Sequence, residues 1–229
     1  MTSVRILTIA SVAVVVGAHP LVAQELSRYR AYALESSVAS VVTTSGARES
    51  DVSTTHQRPA KIQVIKWRTP YLPSGGGLAD PVRDVQFGFC DDQLYQIVVT
   101  YDQSRTEGLT NDDVTESLSA TYGLPLLLTT RPSPGVVPAN ALIDTTVVAR
   151  WEDEATMVIL IRGTNVPQYQ LVLTSKTLSA RARAAVKEAI QLDRQEAPQR
   201  ELDRQEKQVA DAGVASQRAR VVNKPAFRP

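Results

Sequence analysis

The stretch "QFGFCDDQLYQIVVTYD", Gln86 to Asp102, decides the fold because it contains two strand patterns on either side of two adjacent aspartates. Apolar side chains alternate along one side of each strand, which is the period of a half-buried β-strand. They are Val85, Phe87 and Phe89 in the first strand, and Tyr95, Ile97, Val99 and Tyr101 in the second. The stretch therefore predicts an antiparallel hairpin.

The register of this hairpin depends on the length of its loop. A loop of three residues, Asp91 to Gln93, places Phe89 opposite Tyr95, Phe87 opposite Ile97 and Val85 opposite Val99. A loop of only Asp91 and Asp92 places Phe89 beside Leu94. A slip of one residue inverts the buried face, and aromatic matching favours the three-residue loop. In that loop Gln93 would need a positive φ, which glycine adopts more readily.

Further strands and helices lie on both sides of the hairpin. A strand is predicted from Lys61 to Arg68, and the polar segment before it, "ARESDVSTTHQRP", is predicted to be a loop. A helix capped by Ser36 or Ser37 ends at Gly46, and a second helix runs from Thr110 to Gly123. Three more strands are predicted, followed by a helix that begins near Ser179: Thr145 to Trp151, Thr156 to Arg162, and Gln168 to Thr174.

These elements predict the α+β class. The order is two successive β-β-β-α units behind an N-terminal helix, with about six strands in one antiparallel sheet and helices mainly on one face. Short strands joined by tight turns argue against a parallel, doubly wound sheet. The last helix is predicted to bury Ala182, Ala185, Val186, Ala189 and Ile190.

The N-terminus has the pattern of a signal peptide, residues 1–23. Arg5 precedes the apolar run from Ile6 to Ala18, and Ala23 is suitably placed for cleavage. The run is shorter than the ~17–25 residues that span a bilayer, and no cysteine follows it for lipid attachment. We therefore expect a periplasmic or secreted mature protein without a membrane span. Arginine far outnumbers lysine, which is typical of a G+C-rich bacterial genome.

The remaining chain is divided by its composition. Residues 24–190 form the predicted exported domain, residues 191–212 a charged helical extension, and residues 213–229 a disordered basic tail. The pentapeptide LDRQE occurs twice, but its ten-residue offset rotates Leu202 ~80° away from Leu192. Sustained apolar heptads are missing, and Pro198 is expected to kink or restart the helix. Oligomerisation through residues 178–212 stays open.

The composition excludes several kinds of site. The net charge of +1 gives no sign of nucleic-acid binding, and a single cysteine permits no intramolecular disulfide. After loss of the signal peptide, His56 is the only histidine, so multi-histidine metal sites are excluded. No cofactor, metal ligand or catalytic residue is assigned. The motif "SGGG" is a loop, because no Gly-Lys-Ser or Gly-Lys-Thr follows it.

Each candidate for chemistry has a structural explanation. Cys90 is a packed side chain, since the adjacent aspartates would raise its pKa and suppress the thiolate. Three acidic groups suit two hairpin turns and a helix first turn: Asp91 with Asp92, Asp112 with Asp113, and Glu152 to Glu154. Trp67 and Trp151 lie at strand ends beside arginines and are the candidate ligand-binding residues, although strand-end tryptophans are also common at core edges.

Three motifs resemble those of small exported bacterial α+β proteins with no assigned activity. They are "YALESSVASVVTTSG" for the first helix, "FGFCDDQLYQIVV" for the hairpin and "LSATYGLP" for a helix end. The resemblance extends over Tyr32 to Thr174 and implies a location in the envelope without implying an activity.

Three hypotheses about function follow. The first is a non-catalytic module that binds an envelope protein through a strand edge, an aromatic patch or the charged helix. The second is a hydrolase whose carboxylates are assembled by folding. The third is a structural protein that oligomerises through its C-terminal helix.

Overall fold

The computed structural model describes residues 25–68, 80–126, 145–164 and 168–225. Its strands are β1 (Arg28–Tyr29), β2 (Tyr32–Ala33), β3 (Val52–His56), β4 (Ile62–Arg68), β5 (Val82–Cys90), β6 (Gln93–Tyr101), β7 (Thr145–Glu152), β8 (Thr156–Gly163) and β9 (Tyr169–Ser175). Its helices are α1 (Val38–Ser45), α2 (Gln103–Thr106), α3 (Asn111–Tyr122) and α4 (Lys176–Asn223). The predicted signal peptide, the "SGGG" loop and the Pro-rich stretch before β7 lie outside the described residues.

The α+β class is confirmed, and the two β-β-β-α units share one antiparallel sheet. The strand order is β3-β4-β5-β6-β9-β8-β7, so the two units meet where β6 pairs with β9. The sheet has seven strands where about six were predicted, because Val52–His56 forms edge strand β3 rather than the predicted loop. Its valine and threonines are β-branched, which was the available signal for this strand. Strands β1 and β2 form a separate two-stranded sheet.

The hairpin of β5 and β6 has a two-residue turn, so the predicted three-residue loop was wrong. Asp91 and Asp92 have φ angles of 48° and 66°, as a two-residue hairpin turn of this kind requires, and Phe89 lies opposite Leu94. A register shift between Gly88 and Phe89 then restores the predicted pairs Phe87 with Ile97 and Val85 with Val99. The aromatic pattern identified these distant pairs correctly but did not reveal the bulge between them.

The two aspartates also explain why glycine is unnecessary in this turn. The Lys61 amide donates to Asp91 Oδ1 at 2.8 Å, and the Val38 amide donates to Asp92 Oδ1 at 3.1 Å. Aspartate tolerates the left-handed region better than most residues. The turn therefore ties the start of β4 and the first turn of α1 to the end of the hairpin.

The main core lies between one face of the sheet, helices α1 and α3, and the N-terminal segment. Val41 of α1 and Val114 and Tyr122 of α3 belong to the same cluster as Phe87 and Ile97. This part agrees with the prediction of helices mainly on one face. The predicted caps are also present, since Ser37 accepts from the Ser40 amide and Thr110 forms a capping box with Asp113.

The opposite face of the sheet carries two smaller clusters. Ala182 and Ala185 of α4 pack with Ile62 and Cys90, and Tyr95 lies against them. The first turns of α4 thus cover the face opposite α1 and α3. A neighbouring cluster joins side chains of β6, β8 and β9: Val98, Met157, Ile159, Ile161 and Val172.

Helix α4 is longer than the sequence suggested. It begins at Lys176, directly after β9, and continues through Pro198 to Asn223. Residues 213–223, which were expected to belong to a disordered tail, are helical. At ~1.5 Å per residue, 48 residues extend over ~72 Å, which is well beyond the sheet strands of seven to nine residues on which the helix starts.

Candidate functional site

The first part of α4 is anchored by small side chains. Leu178, Ser179, Ala182, Ala185 and Ala189 are buried. Alanine and serine allow a helix backbone to approach a sheet closely, and the contacts of α4 are mainly with β5, β6 and β9. Ile190, predicted to face inward, is 41% exposed, so the packed segment ends near Ala189.

Ion pairs join α4 to three neighbouring parts of the domain. Arg181 pairs with Asp91 of the hairpin turn, and Lys176 pairs with Glu152 at the end of β7. Further along, Arg58 pairs with Glu196. Such partly exposed pairs contribute little energy singly, but their positions determine the direction in which the helix leaves the sheet.

The second part of α4 projects from the domain. Every residue from 197 to 225 is exposed. The exposed side chains include apolar ones: Leu202, Val209, Val214, Val221 and Val222. At ~1.5 Å per residue, residues 197–223 form a rod ~40 Å long with no face buried against the described domain. We call residues 197–223 the projecting helix.

Few interactions within the projecting helix support it. Arg204 pairs with Glu201 at 2.9 Å, and Gln199 donates to Asp203 at 2.8 Å. Pairs of this kind stabilise an isolated helix by only ~0.2–0.5 kcal/mol each. An exposed helix without a packed face is therefore marginal, and most helical stability in proteins comes from tertiary or quaternary packing.

Pro198 lies at the base of the projecting helix. Proline lacks the amide hydrogen that would bond to the carbonyl four residues earlier, and its ring crowds that carbonyl. The Arg200 guanidinium donates to the Asp193 carbonyl oxygen at 2.9 Å and to Asp193 Oδ1 at 3.2 Å. The carbonyl that loses its amide donor is that of Arg194, and the Arg200 side chain crosses the same turn to Asp193. The helix continues through the proline to Asn223.

A cleft of about 560 Å³ opens beside α2, at the end of the sheet where β5 starts. Several polar side chains of its wall contact other groups of the protein. Arg162 lies 5.2 Å from the centre of the Tyr169 ring, Gln168 Nε2 donates to the Tyr101 carbonyl at 3.0 Å, and Asp102 caps α2 through the Ser104 amide. Three polar side chains of its wall, Arg162, Gln168 and Asp102, therefore have partners within the protein.

Tyr29 and Tyr101 lie close together on the main-core side of the sheet, beside the charged pair of Arg30 and Asp80. Arg30 donates two hydrogen bonds to Asp80, at 2.6 and 2.8 Å. These bonds hold the pKa of Asp80 below its usual value. Burial raises the pKa of Tyr29 to about 12 and also raises the pKa of Tyr101, so both phenols stay neutral. Sequence reasoning missed this cluster because residues 30 and 80 are far apart in the chain.

The two candidate ligand-binding tryptophans are not brought together. Trp151 is 2% exposed, and its indole N–H donates to the Gly123 carbonyl at 2.7 Å. Trp67 is half-buried on β4. Four strands separate β4 from β7, and at ~4.8 Å per strand this puts ~24 Å between the two strands. Trp151 fills the core beside Tyr122, with ring centroids 6.0 Å apart.

Ile62 of β4 pairs with His56 of β3 and with Cys90 of β5, so two strand spacings separate His56 from Cys90. Cys90 is fully buried, and burial raises the pKa of its thiol; Asp91 acts in the same direction, and Arg181 opposes them. His56 is the last residue of β3 and is half-buried, not part of a polar loop as expected. The interpretation of Cys90 as a packed side chain is confirmed by this burial.

The acidic groups serve the turns in which they lie. Asp113 accepts from the Thr110 amide at 2.7 Å, and Asp153 accepts from the Thr156 amide at 2.6 Å. Burial opposes ionisation of Glu152, but the hydrogen bond from Lys176 and the charge of Arg150 outweigh it and lower its pKa. Within the described ranges, no three acidic, histidine or cysteine side chains are grouped as metal ligands would be.

Comparisons with protein families, with curated proteins and with solved structures found no match for this chain. Among the residues that the structure describes, no helix combines the length and apolar character that crossing a membrane requires.

Proposed function

We propose that this protein is an exported, non-catalytic binding module of the bacterial envelope, and that its projecting helix is the surface that binds a protein partner. The observation that carries the proposal is the complete exposure of residues 197–225 on a helix whose first turns are packed and ion-paired. A rigid domain thereby holds an uncovered helix ~40 Å long away from its own surface.

The state of the carboxylates supports binding rather than hydrolysis. Acid–base catalysis needs carboxyl groups that meet in one cleft and can exchange protons with a substrate. Asp91, Asp113 and Glu152 are instead bonded to backbone amides or cations in three separate turns. Their local roles favour a scaffold that positions α4.

The experiment compares the full chain with a chain that ends at Ala197. Both are immobilised and exposed to bacterial envelope extract, and each captured protein is purified and tested for direct binding. We expect a partner that binds the full chain and loses at least ten-fold in affinity for the short chain. Equal binding by both chains, or a full chain that binds neither an envelope protein nor a second copy of itself, would overturn the proposal.

The short chain also needs evidence of an intact domain. Because residues 198–225 are exposed, the thermal unfolding midpoint of the domain should stay within a few degrees of that of the full chain.

A further inference from the structure

The projecting helix contains a line of positions without charge. Starting from Gln195 and proceeding by alternate steps of three and four residues, the positions are Gln195, Pro198, Leu202, Gln205, Val209, Ala212, Ser216, Ala219 and Asn223. Steps of three and four residues keep side chains on one face of a helix, as in the seam of a coiled coil. We call these residues the uncharged seam.

The charged side chains avoid this seam throughout. Between residues 195 and 223 they occupy only the other positions: Glu196, Arg200, Glu201, Asp203, Arg204, Glu206, Lys207, Asp211, Arg218 and Arg220. Two large apolar members of the seam are strongly exposed, Leu202 at 54% and Val209 at 73%. A seam that carries no charge, contains exposed Leu202 and Val209 and is flanked by charges has the form of a helix–helix interface.

From this arrangement we propose that the uncharged seam binds the same seam of a second copy of this chain, with the two helices antiparallel. The proposal rests on the proposed function, in that the projecting helix is the binding surface, and it names the partner. The sizes of the seam side chains and the positions of the flanking charges favour a second copy of this chain as the partner, running antiparallel.

Size complementarity favours the antiparallel arrangement. If Val209 lies opposite Ala212 of the second copy, then Leu202 lies opposite Ala219, and Gln205 lies opposite Ser216. In these three layers a large apolar side chain faces a small one, or two polar side chains that can hydrogen-bond face each other, and a fourth layer places Pro198 opposite Asn223. Alternating large and small residues across facing positions fill the space between helices, and alanine allows axes to approach to ~8 Å.

Repulsion between like charges disfavours the parallel arrangement. In a parallel pair in register, Glu201 of one copy would flank Glu206 of the other, and this repulsion would occur twice. In the antiparallel pair, Glu201 flanks Val222 of the second copy and Glu206 flanks Gly213. The antiparallel seam therefore brings no like charges together at these positions.

The test uses the full chain and two matched valines. Val209 is on the seam and Val221 is on the opposite side of the helix, and they are 73% and 75% exposed. Light scattering should give the mass of a dimer for the natural chain and for Val221→Glu at concentrations where Val209→Glu is a monomer. A shift of at least ten-fold in the dissociation constant is expected for Val209→Glu only.

Cysteine crosslinking tests the direction. A chain with both Leu202→Cys and Ala219→Cys should form an intermolecular disulfide on mild oxidation, whereas Leu202→Cys alone should not, because its two copies would lie ~25 Å apart along the helices. Native Cys90 is buried. Efficient crosslinking by Leu202→Cys alone would overturn the antiparallel arrangement.

The outcomes separate this proposal from the proposed function. A natural chain that stays monomeric at ~100 µM, or equal effects of both glutamate variants, overturns self-association. If that monomer still binds a purified envelope protein through the projecting helix, the binding function stands and only its partner differs. If neither occurs, both proposals fail.

Discussion

The ring of Tyr95 lies directly over Gly88 on the face of the sheet that receives α4. A Cβ atom at position 88 would be 3.1 Å from Tyr95 Cζ and 3.2 Å from its hydroxyl oxygen. Tyr95 in turn packs in the cluster that contains Ala182 and Ala185 of α4. The register shift in the hairpin puts Tyr95 on the face that α4 covers and leaves Leu94 and Ile97 on the other face. It thereby creates part of the surface on which α4 packs.

Gly88→Ala should destabilise the protein by about 1–3 kcal/mol, because the added methyl group must displace the tyrosine ring or shift the strand. Urea unfolding measures this loss. Gly213→Ala is the matched control: nothing lies within 4 Å of its Cβ position in the exposed helix, and alanine there should stabilise by up to ~1 kcal/mol. An unchanged midpoint for Gly88→Ala would contradict the close contact.

Trp151→Phe should cost more stability than Trp67→Phe. The first change removes the donor to the Gly123 carbonyl, and an unsatisfied buried group costs ~1–3 kcal/mol in addition to the lost packing. The fluorescence of the single remaining tryptophan provides a second measurement. In the Trp67→Phe variant, emission from Trp151 should be blue-shifted and resist acrylamide quenching; strong quenching would show that Trp151 is accessible to a ligand.

The thiol of Cys90 should be almost unreactive in the folded protein. Its side chain is fully buried, and burial with the charge of Asp91 raises its pKa, so little thiolate forms at pH 8. Alkylation should accelerate by at least a hundred-fold in denaturant. Comparable rates in the two conditions would mean that Cys90 is exposed.

Asp80→Asn should weaken the protein at neutral pH but not in strong acid. The hydrogen bonds from Arg30 lower the pKa of Asp80 in the folded state, so the stabilisation is present above the unfolded pKa of ~3.9 and is lost as the pH falls through the folded pKa. Since the pair is partly exposed, the loss at pH 7 should be below ~1 kcal/mol.

The pH dependence of urea unfolding checks this prediction, with Asp211→Asn on the exposed helix as the control. The control should change stability by less than ~0.5 kcal/mol at either pH. An equal loss for Asp80→Asn at pH 7 and pH 2 would show that the carboxylate charge is not what stabilises the folded state.

The sequence predicted most of the sheet because its strands show clear alternation and its helices have local caps. It missed β3, whose "VSTTH" pattern is polar and whose strand character depends on pairing with β4. The hairpin register was also missed, because two aspartates occupy a turn in which glycine is commoner. Long-range contacts such as Arg30 with Asp80 leave no local signal in the chain.

The surface that we propose for binding was only partly visible in the sequence. The charged repeat predicted a solvated helix. Because sustained apolar heptads are missing, the uncharged face of that helix was not identified. Only a continuous helix from Lys176 to Asn223 shows that Leu202, Val209 and Ala212 share one line that is exposed to solvent. Trp67 and Trp151 were chosen by residue type, and residue type alone did not reveal that one of them is core.

Amide hydrogen exchange across residues 199–222 tests most directly whether the projecting helix is stabilised by a partner. We predict that exchange in the natural chain slows at least ten-fold between ~1 and ~100 µM protein, while exchange in Val209→Glu stays fast at both concentrations. Protection that is the same at both concentrations, and the same in Val209→Glu, would contradict self-association, because the helix would then be stable without any intermolecular contact.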